Sequence, residues 1–171
     1  MNYPTVSTAG VLLGVLVAAL GTLAIAPATA SALSISCAGQ AGLGETAIVG
    51  HTGCGALADS SSTSVAFSRE GVGFADAARA GAALGVGLDG GVGAAEARGS
   101  AVAAIAVGPE SVAIGTVTGG GPALALSGPG GRALVAEPAR GVVCSGGPSL
   151  AINFHAGQAC LSDGSTSWQL P

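Results

Sequence analysis

Glycine divides the middle of this chain at nearly regular intervals, and that spacing restricts the fold more than any other feature. Turn-like glycines follow one another at steps of 10, 9, 9 and 9 residues: Gly71, Gly81, Gly90, Gly99 and Gly108. Short apolar runs such as Ala101 to Val107 and Ala123 to Leu126 lie among the glycine-rich turns. Apolar runs of four to seven residues bounded by glycine are more typical of β-strands than of helices. The spacing therefore predicts an all-β chain of short strands and tight turns.

The strands carry few large side chains, which favours a repetitive fold over an ordinary globular core. The chain of 171 residues holds 31 glycines, and aromatic residues make up only 3% of it. Stacked coils bury a continuous interior that small residues can fill. We therefore expect a short-strand β-solenoid or β-roll. Three alternatives stay open: another small β-rich fold, a short alanine-rich helix over 74–84, and disorder. Disordered chains usually carry more charge than this one, in which 8% of the residues are charged.

Serine- and alanine-rich blocks in the middle region carry a resemblance to a known family. Ser111-Val112-Ala113-Ile114-Gly115 is nearly repeated by Ser64-Val65-Ala66-Phe67-Ser68, and a similar run extends from Ser100 to Gly108. Over residues 62 to 137 these blocks resemble the head repeats of trimeric autotransporter adhesins of bacteria. The resemblance implies short strands stacked into a left-handed β-roll. That family's coiled-coil stalk and membrane-anchor barrel have no counterpart in this sequence, so the adhesive function is not carried over.

The N-terminal segment predicts export. The first 44 residues carry no charged side chain, and an apolar stretch from Ala9 to Ala28 leads into small residues. An apolar segment followed by an A-x-A site is typical of a signal peptide. We expect a signal helix within residues 1–32, removed after Ala30 or Ala32, and a protein that is secreted or associated with the cell envelope.

Two alternatives to cleavage stay open. About 20 apolar residues can span a bilayer, so the segment could instead remain as a membrane anchor. Cys37 follows the small-residue tract and could carry a lipid, although Leu33 lies one place too far back for a good lipidation box. In the anchored form, the N-terminal segment would be the protein's only contact with a membrane.

The cysteines form an even set beyond the apolar segment: Cys37, Cys54, Cys144 and Cys160. In an oxidising compartment such a set favours two disulfides, and three pairings are open to it. We favour the local pairs Cys37–Cys54 and Cys144–Cys160. Zinc binding is the alternative, because His51 precedes Cys54 and His155 precedes Cys160 at spacings found in zinc sites. The oxidising compartment weighs against it, and we expect no metal ligands.

The cysteines and histidines concentrate at the two ends, which predicts a capped array. Stacked repeats need atypical terminal units to cover the ends of their interior. We expect an N-terminal cap over 33–60, glycine- and alanine-rich solenoid repeats over 61–140 and a C-terminal cap over 141–171, with each cap stapled by its own disulfide.

Charge and motifs exclude several classes of function. The five basic residues are all arginine and never cluster, and nine acids outnumber them, so nucleic-acid binding is not expected. The run Gly85 to Gly90 matches G-x-G-x-x-G, which chance explains in so glycine-rich a chain. Ala95 stands where a calcium-binding repeat beginning at Gly90 needs aspartate. We predict neither a cofactor nor a nucleotide site.

The one class of enzyme for which the sequence offers candidate residues is a serine hydrolase. A serine hydrolase needs a histidine base and an orienting acid, and His51 with Asp59, or His155 with Asp163, offers those types. No G-x-S-x-G motif accompanies them, and we predict no catalytic residues. In composition, signal tract, cysteine-bearing ends and length the chain resembles small secreted actinobacterial proteins of unknown function that are rich in alanine and glycine.

The sequence thus predicts a non-enzymatic exported structural or interaction protein that binds an envelope or extracellular partner. A small secreted hydrolase using His51 or His155 is the alternative. Self-association into a homo-oligomer is a third option, since the exposed edges and apolar faces of a β-roll are normally covered.

Overall fold

A computed structural model describes residues 33–98, 101–109, 111–117, 121–136 and 141–170. The predicted signal peptide over 1–32, with Ala30 and Ala32, lies outside these residues. The described part of the chain forms fifteen β-strands and no helix, and thus none that could cross a membrane. The all-β prediction is confirmed. The alternative of a helix over 74–84 is wrong, because these residues form parts of two strands and the turn between them.

The strands form two sheets, which we name sheet A and sheet B. Sheet A has eight strands, in spatial order β1 (Ser34–Gln40), β4 (Thr63–Arg69), β6 (Ala82–Leu88), β8 (Ala101–Val107), β10 (Ala123–Ser127), β13 (Pro148–Asn153), β14 (Gln158–Asp163) and β15 (Ser167–Leu170). Sheet B has seven, in spatial order β12 (Val142–Gly146), β11 (Gly131–Val135), β9 (Val112–Val117), β7 (Val92–Arg98), β5 (Val72–Ala78), β3 (Thr52–Ala58) and β2 (Glu45–Val49).

From β3 to β11 the chain alternates between the sheets and forms a β-solenoid of about four turns, as predicted. Each strand pairs in parallel with the strand two places along the chain. Thr63 pairs with Ala82, 19 residues on, whereas Val102 pairs with Ala123, 21 residues on. One turn therefore takes about twenty residues. The glycine steps of nine or ten residues mark half-turns, where the chain passes from one sheet to the other.

At both ends of the solenoid the strand pairing changes from parallel to antiparallel. β1 and β2 pair antiparallel with β4 and β3, and the strands β12 to β15 add antiparallel pairs at the other end. These terminal strands lie in the ranges 33–60 and 141–171. Hairpins can close a stack of parallel coils because antiparallel strands need only a short turn between them.

The disulfides join the two sheets across the interior, one near each end. Cys37 of sheet A bonds Cys54 of sheet B, and Cys144 of sheet B bonds Cys160 of sheet A. These are the local pairs that the sequence favoured. In both bridges the Cα atoms are 5.8 Å apart. Packed sheets usually stand about 10 Å apart, so the sheets come unusually close at these two points.

The interior is made of the smallest side chains. From β4 to β11 alternate residues of each strand point inwards, and most of them are alanine, glycine or serine. Gly85 illustrates why, because a Cβ atom there would overlap the backbone carbonyl group of Phe74 in the opposite sheet. The same overlap would arise between Gly93 and Val86. Larger side chains at these positions would force the sheets apart.

The periodic glycines serve two different purposes. Gly90 adopts a φ of 85° in the turn between β6 and β7, a conformation that strains residues with a side chain. Gly71 instead lies where there is no room for a side chain, since a Cβ there would lie 2.6 Å from the carbonyl oxygen of Gly91 in the next coil. Arg79 and Ala80, not Gly81, hold the positive φ values in the turn between β5 and β6.

Candidate interaction surface

The outer face of sheet A carries two straight rows of apolar side chains, most of them large. Strand pairing aligns the members of each row across seven neighbouring strands, from β4 to β15. The first apolar row consists of Phe67, Val86, Ile105, Leu126, Leu150, Leu161 and Trp168. The second apolar row consists of Val65, Leu84, Ala103, Leu124, Ile152, Ala159 and Leu170. We call the surface formed by these two rows the apolar face.

Several members of the rows are well exposed to solvent. Trp168 and Leu170 on the edge strand β15 are 51% and 66% exposed, and Val65 near the opposite edge is 42% exposed. Single exposed apolar residues are common on protein surfaces, but contiguous patches of more than a few hundred Å² mark interaction sites. Two rows that cross seven strands form such a patch.

The apolar face lacks charge except at its margin. Within the strands of sheet A the charged residues are Arg69 and Asp163, each the last residue of its strand. The Arg69 guanidinium lies 3.1 Å from a carboxylate oxygen of Asp89, and both side chains are exposed. Asp163 Oδ1 accepts hydrogen bonds from the backbone N–H groups of Ser165 and Thr166. These hydrogen bonds lower the pKa of Asp163, and the bond from Thr166 contributes more than those from Ser165.

The outer face of sheet B differs because charged residues interrupt its apolar positions. Phe74 and Ile114 are exposed there, but Asp76 pairs across the strands with Glu96, and Arg98 donates to Glu96 at 2.8 Å. Arg132 adds a further exposed charge on β11. The mixture of charges and apolar residues is typical of a solvated sheet face.

A shallow groove of about 290 Å³ lies on sheet B near the N-terminal end. Its floor includes Gly53 and Gly55 of β3, and Ile48 and Phe74 contribute to its walls. His51, one of the two histidines considered for catalysis, lines the groove and is exposed. The groove is open and mostly apolar, without a converging set of polar groups.

The carboxylates considered as partners of the histidines are engaged elsewhere. Asp59 accepts hydrogen bonds from the backbone N–H groups of Ser61 and Arg79, so it ties its own turn to the turn of the next coil. Asp163 caps the turn between β14 and β15. His155 is exposed and packs beside Gly121. The structure gives neither of the two proposed histidine–acid pairs a supporting contact.

Metal and nucleotide chemistry receive no support from the geometry either. All four cysteines are in disulfides, and the described residues contain no group of three histidine, cysteine or acidic side chains that could hold a metal ion. In the G-x-G-x-x-G match, Gly85 and Gly87 lie on the inward side of β6 and leave room for the opposite backbone. Gly90 supplies the turn that follows.

The sequence predicted the strands, the disulfides and apolar faces on the roll, but it did not show which residues form the apolar face. The missing signal was the spacing of large side chains from coil to coil: Phe67, Val86, Ile105 and Leu126 follow one another at steps of 19, 19 and 21 residues. Alternation within each strand then assigns them all to the same side. The nine-residue glycine step obscured this longer period, since it merges the two sheets into one repeat.

The fold and its surface thus define a small two-sheet β-solenoid with disulfide-linked ends and one uncharged face. A family model described as "Family of unknown function (DUF6764)" matches residues 3–163, and the chain belongs to that family. The search of curated proteins and the search of solved structures found no match. The expected membership in a family of unknown function is thereby confirmed.

Proposed function

We propose that this protein is an exported, non-enzymatic structural or interaction module of the cell envelope or medium, and that it works through the apolar face. The observation that carries the proposal is the pair of apolar rows, which leaves a broad uncharged surface exposed on an otherwise closed fold. Such a surface costs solubility unless a partner covers it.

Export is supported by the disulfides and by the sequence of the N-terminal segment. Disulfides persist in oxidising compartments and are typical of extracellular proteins. Both bridges connect the sheets near the ends of the solenoid, so the fold depends on oxidation where its stacking stops. The apolar segment and its small-residue tract supply a route out of the cell.

The compartment can be tested by intact-protein mass spectrometry of the medium, envelope and cytoplasmic fractions of cells that express the full chain. We expect an oxidised protein outside the cytoplasm whose first residue is Ser31 or Leu33. A chain that stays in the cytoplasm with four free thiols would contradict export. A diacylglyceryl mass on Cys37 would instead assign it to the envelope as a lipoprotein.

The working surface can be tested with a photo-reactive amino acid at matched positions on the two sheets. Ala103 lies on the apolar face and Ala94 on the outer face of sheet B, and both are half-buried alanines at the middle of a central strand. We expect irradiation of living cells to give a discrete adduct from position 103 and none from position 94. Equal yields from both positions would contradict a role for the apolar face.

The absence of catalysis can be tested with the same purified protein. We expect no labelling by a serine-reactive fluorophosphonate probe. Labelling that is lost in His51→Ala or His155→Ala would replace the proposal with the hydrolase alternative.

A further inference from the structure

We propose that the apolar face binds the same face of a second copy of this chain, which gives a face-to-face homodimer with twofold symmetry. The inference rests on the proposed function, because it names the partner of the surface proposed there. Three properties of the face support it: its area, the order of its side chains and the position of its two charges.

The area is sufficient for a stable dimer. Neighbouring strands are about 4.8 Å apart and residues rise by about 3.3 Å along a strand. The eight strands of sheet A, mostly of five to seven residues, therefore present an outer face of about 35 Å by 20 Å, or roughly 700 Å² per copy, and the two apolar rows run across this face. Two copies would bury about 1,400 Å², which falls within the usual range for specific protein interfaces of about 1,200–2,000 Å².

The strand order makes the face complementary to itself. A twofold axis parallel to the strands and midway between β8 and β10 places each strand over its mirror position in the other copy. Then β8 lies over β10, β6 over β13, β4 over β14 and β1 over β15. Each apolar row meets the same row of the second copy, since rotation about this axis preserves the position along the strand.

In this arrangement small side chains meet large ones at four of the eight pairs of facing positions, and large side chains meet each other at the other four. Ala103 in the second row lies over Leu124 of the second copy, and Val65 lies over Ala159. At the margins, Ser36 and Ala38 of β1 extend the two rows by one strand. They lie over Trp168 and Leu170 of β15, the two most prominent side chains of the face. Alternation of large and small residues lets facing layers interdigitate.

The two marginal charges also match. Arg69 follows Phe67 by two residues on β4, and Asp163 follows Leu161 by two residues on β14. The two strands run in the same direction, because β14 is reached from β10 through two antiparallel pairings. The twofold axis therefore places Arg69 of each copy over Asp163 of the other. A guanidinium has five N–H donors, so Arg69 can keep its contact with Asp89 and still bind a second carboxylate.

Charge also argues against the other occupants of an apolar face. An anionic membrane surface attracts clusters of lysine and arginine, whereas this chain has a formal net charge of −4 and no basic cluster. A partner recognised by opposite charge would find no charged residue within the two rows. A second copy offers an equally uncharged surface of the same size, which is the usual basis of isologous dimers.

The test is the oligomeric state of the protein purified from cells that express the full chain, followed by light scattering and sedimentation over a range of concentrations. We expect a dimer at micromolar concentration. Ile105→Glu, in the first apolar row, should raise the dimer Kd by about 100-fold or more, since each copy would bury an unpaired carboxylate. The control Ile114→Glu changes the same residue type on the outer face of sheet B and should leave the dimer unchanged.

Charge reversal tests the orientation. Arg69→Asp alone should weaken the dimer by about 3- to 10-fold, because exposed ion pairs contribute little each and the dimer holds two. Combining it with Asp163→Arg should restore the Kd. A double variant no tighter than Arg69→Asp would overturn this orientation. Circular dichroism and a thiol assay establish that each variant is folded and oxidised.

The photo-reactive residue at position 103 separates this inference from the proposed function. An adduct of twice the chain mass, with its cross-linked peptide containing Leu124, supports the dimer. An adduct with a lipid or with a different protein overturns the dimer and leaves the proposed function standing. A monomer at all concentrations with no adduct from either face overturns both.

Discussion

The inner and outer faces of the same strands differ in the size of their hydrophobic side chains, and the difference is the reverse of the usual one, in which the largest are buried. Inward positions are mostly alanine, glycine and serine, while valine, leucine, isoleucine and phenylalanine point outwards. In β8, for example, Ala104 and Ala106 are fully buried, whereas Ile105 between them faces solvent. The size of the inward side chains is therefore limited by how closely the two backbones approach, whereas the outward side chains are free of that limit.

This difference explains how a chain with few large core residues can hold a fold. Parallel ladders between successive coils satisfy the backbone hydrogen-bonding groups, and the narrow interior excludes water without bulky side chains. The buried alanines supply little apolar area each, so the two disulfides near the ends add stability where the interior alone gives least.

The largest expected effect comes from enlarging one inward residue. Ala95→Leu should prevent folding or destabilise it by more than about 3 kcal/mol, because its added atoms would enter a space closed by the opposite backbone. Ala94→Leu, one residue earlier and facing outwards, should change the free energy of unfolding by less than about 0.5 kcal/mol. Secretion yield and urea unfolding measure both. Equal tolerance of the two substitutions would refute the distinction between the faces.

Loss of a bridge between the sheets should have the next largest effect. The double variant Cys144→Ser/Cys160→Ser opens a loop with a sequence separation of 16 and should lower the free energy of unfolding by about 3 kcal/mol. Thermal melting with and without reductant measures the loss. Wild type in reductant should melt below the oxidised variant, because reduction also opens the Cys37–Cys54 bridge that the variant keeps. An unchanged melting temperature would mean that the small-residue interior holds the C-terminal end without help.

Replacing interior serines by alanine should raise or lower the stability according to whether the serine hydroxyl has a hydrogen-bond partner. The hydroxyl groups of Ser68 and Ser127 are buried and have no partner among the described residues, so Ser→Ala should raise stability by about 1 kcal/mol. Ser111 is equally buried but lies 2.6 Å from the carbonyl oxygen of Gly128, to which its hydroxyl donates. Ser111→Ala should lower stability by about 1 kcal/mol. Urea unfolding of the three variants would reveal an error if all shifted in the same direction.

The smallest expected effect is that of low pH on the exposed turn that contains Asp59. Hydrogen bonds from the Ser62 side chain and the Arg79 backbone hold the pKa of Asp59 well below its ordinary value of 3.8. A depressed carboxyl pKa stabilises the fold fully above that ordinary value, and the contribution is lost as pH falls towards the folded pKa. Asp59→Asn should therefore lose less stability than wild type between pH 6 and pH 3. Unfolding curves at the two pH values measure this, and parallel losses would argue against it.

Much of the fold could be predicted because its local signals are strong. Short apolar runs between glycines indicate strands, and the proximity of Cys37 to Cys54 and of Cys144 to Cys160 in sequence favours the pairs that the structure contains. The helix considered for 74–84 failed because alanine's helical propensity is weaker than the pairing of β5 with its two neighbours in sheet B.

The candidate site could not be found in the same way, because it depends on contacts between coils. Phe67 and Trp168 are about a hundred residues apart, and only the strand order brings them into one row. The antiparallel strands β13 to β15 extend sheet A beyond the last coil, and their pairing has no periodic signal in the sequence. The facing of Arg69 with Asp163 in the proposed dimer likewise depends on strand direction.

Neighbouring residues are enough to predict that this protein forms short strands with turns every nine or ten residues, and they favour the local pairing of its cysteines. Which side of each strand is inside, and which side chains share a face, depends on how the two sheets pack together. The reason is physical: an alternating strand has two equivalent faces until another backbone approaches one of them. Here the two backbones approach closely enough that alanine, glycine and serine make up most of the interior, and most of the larger side chains point outwards.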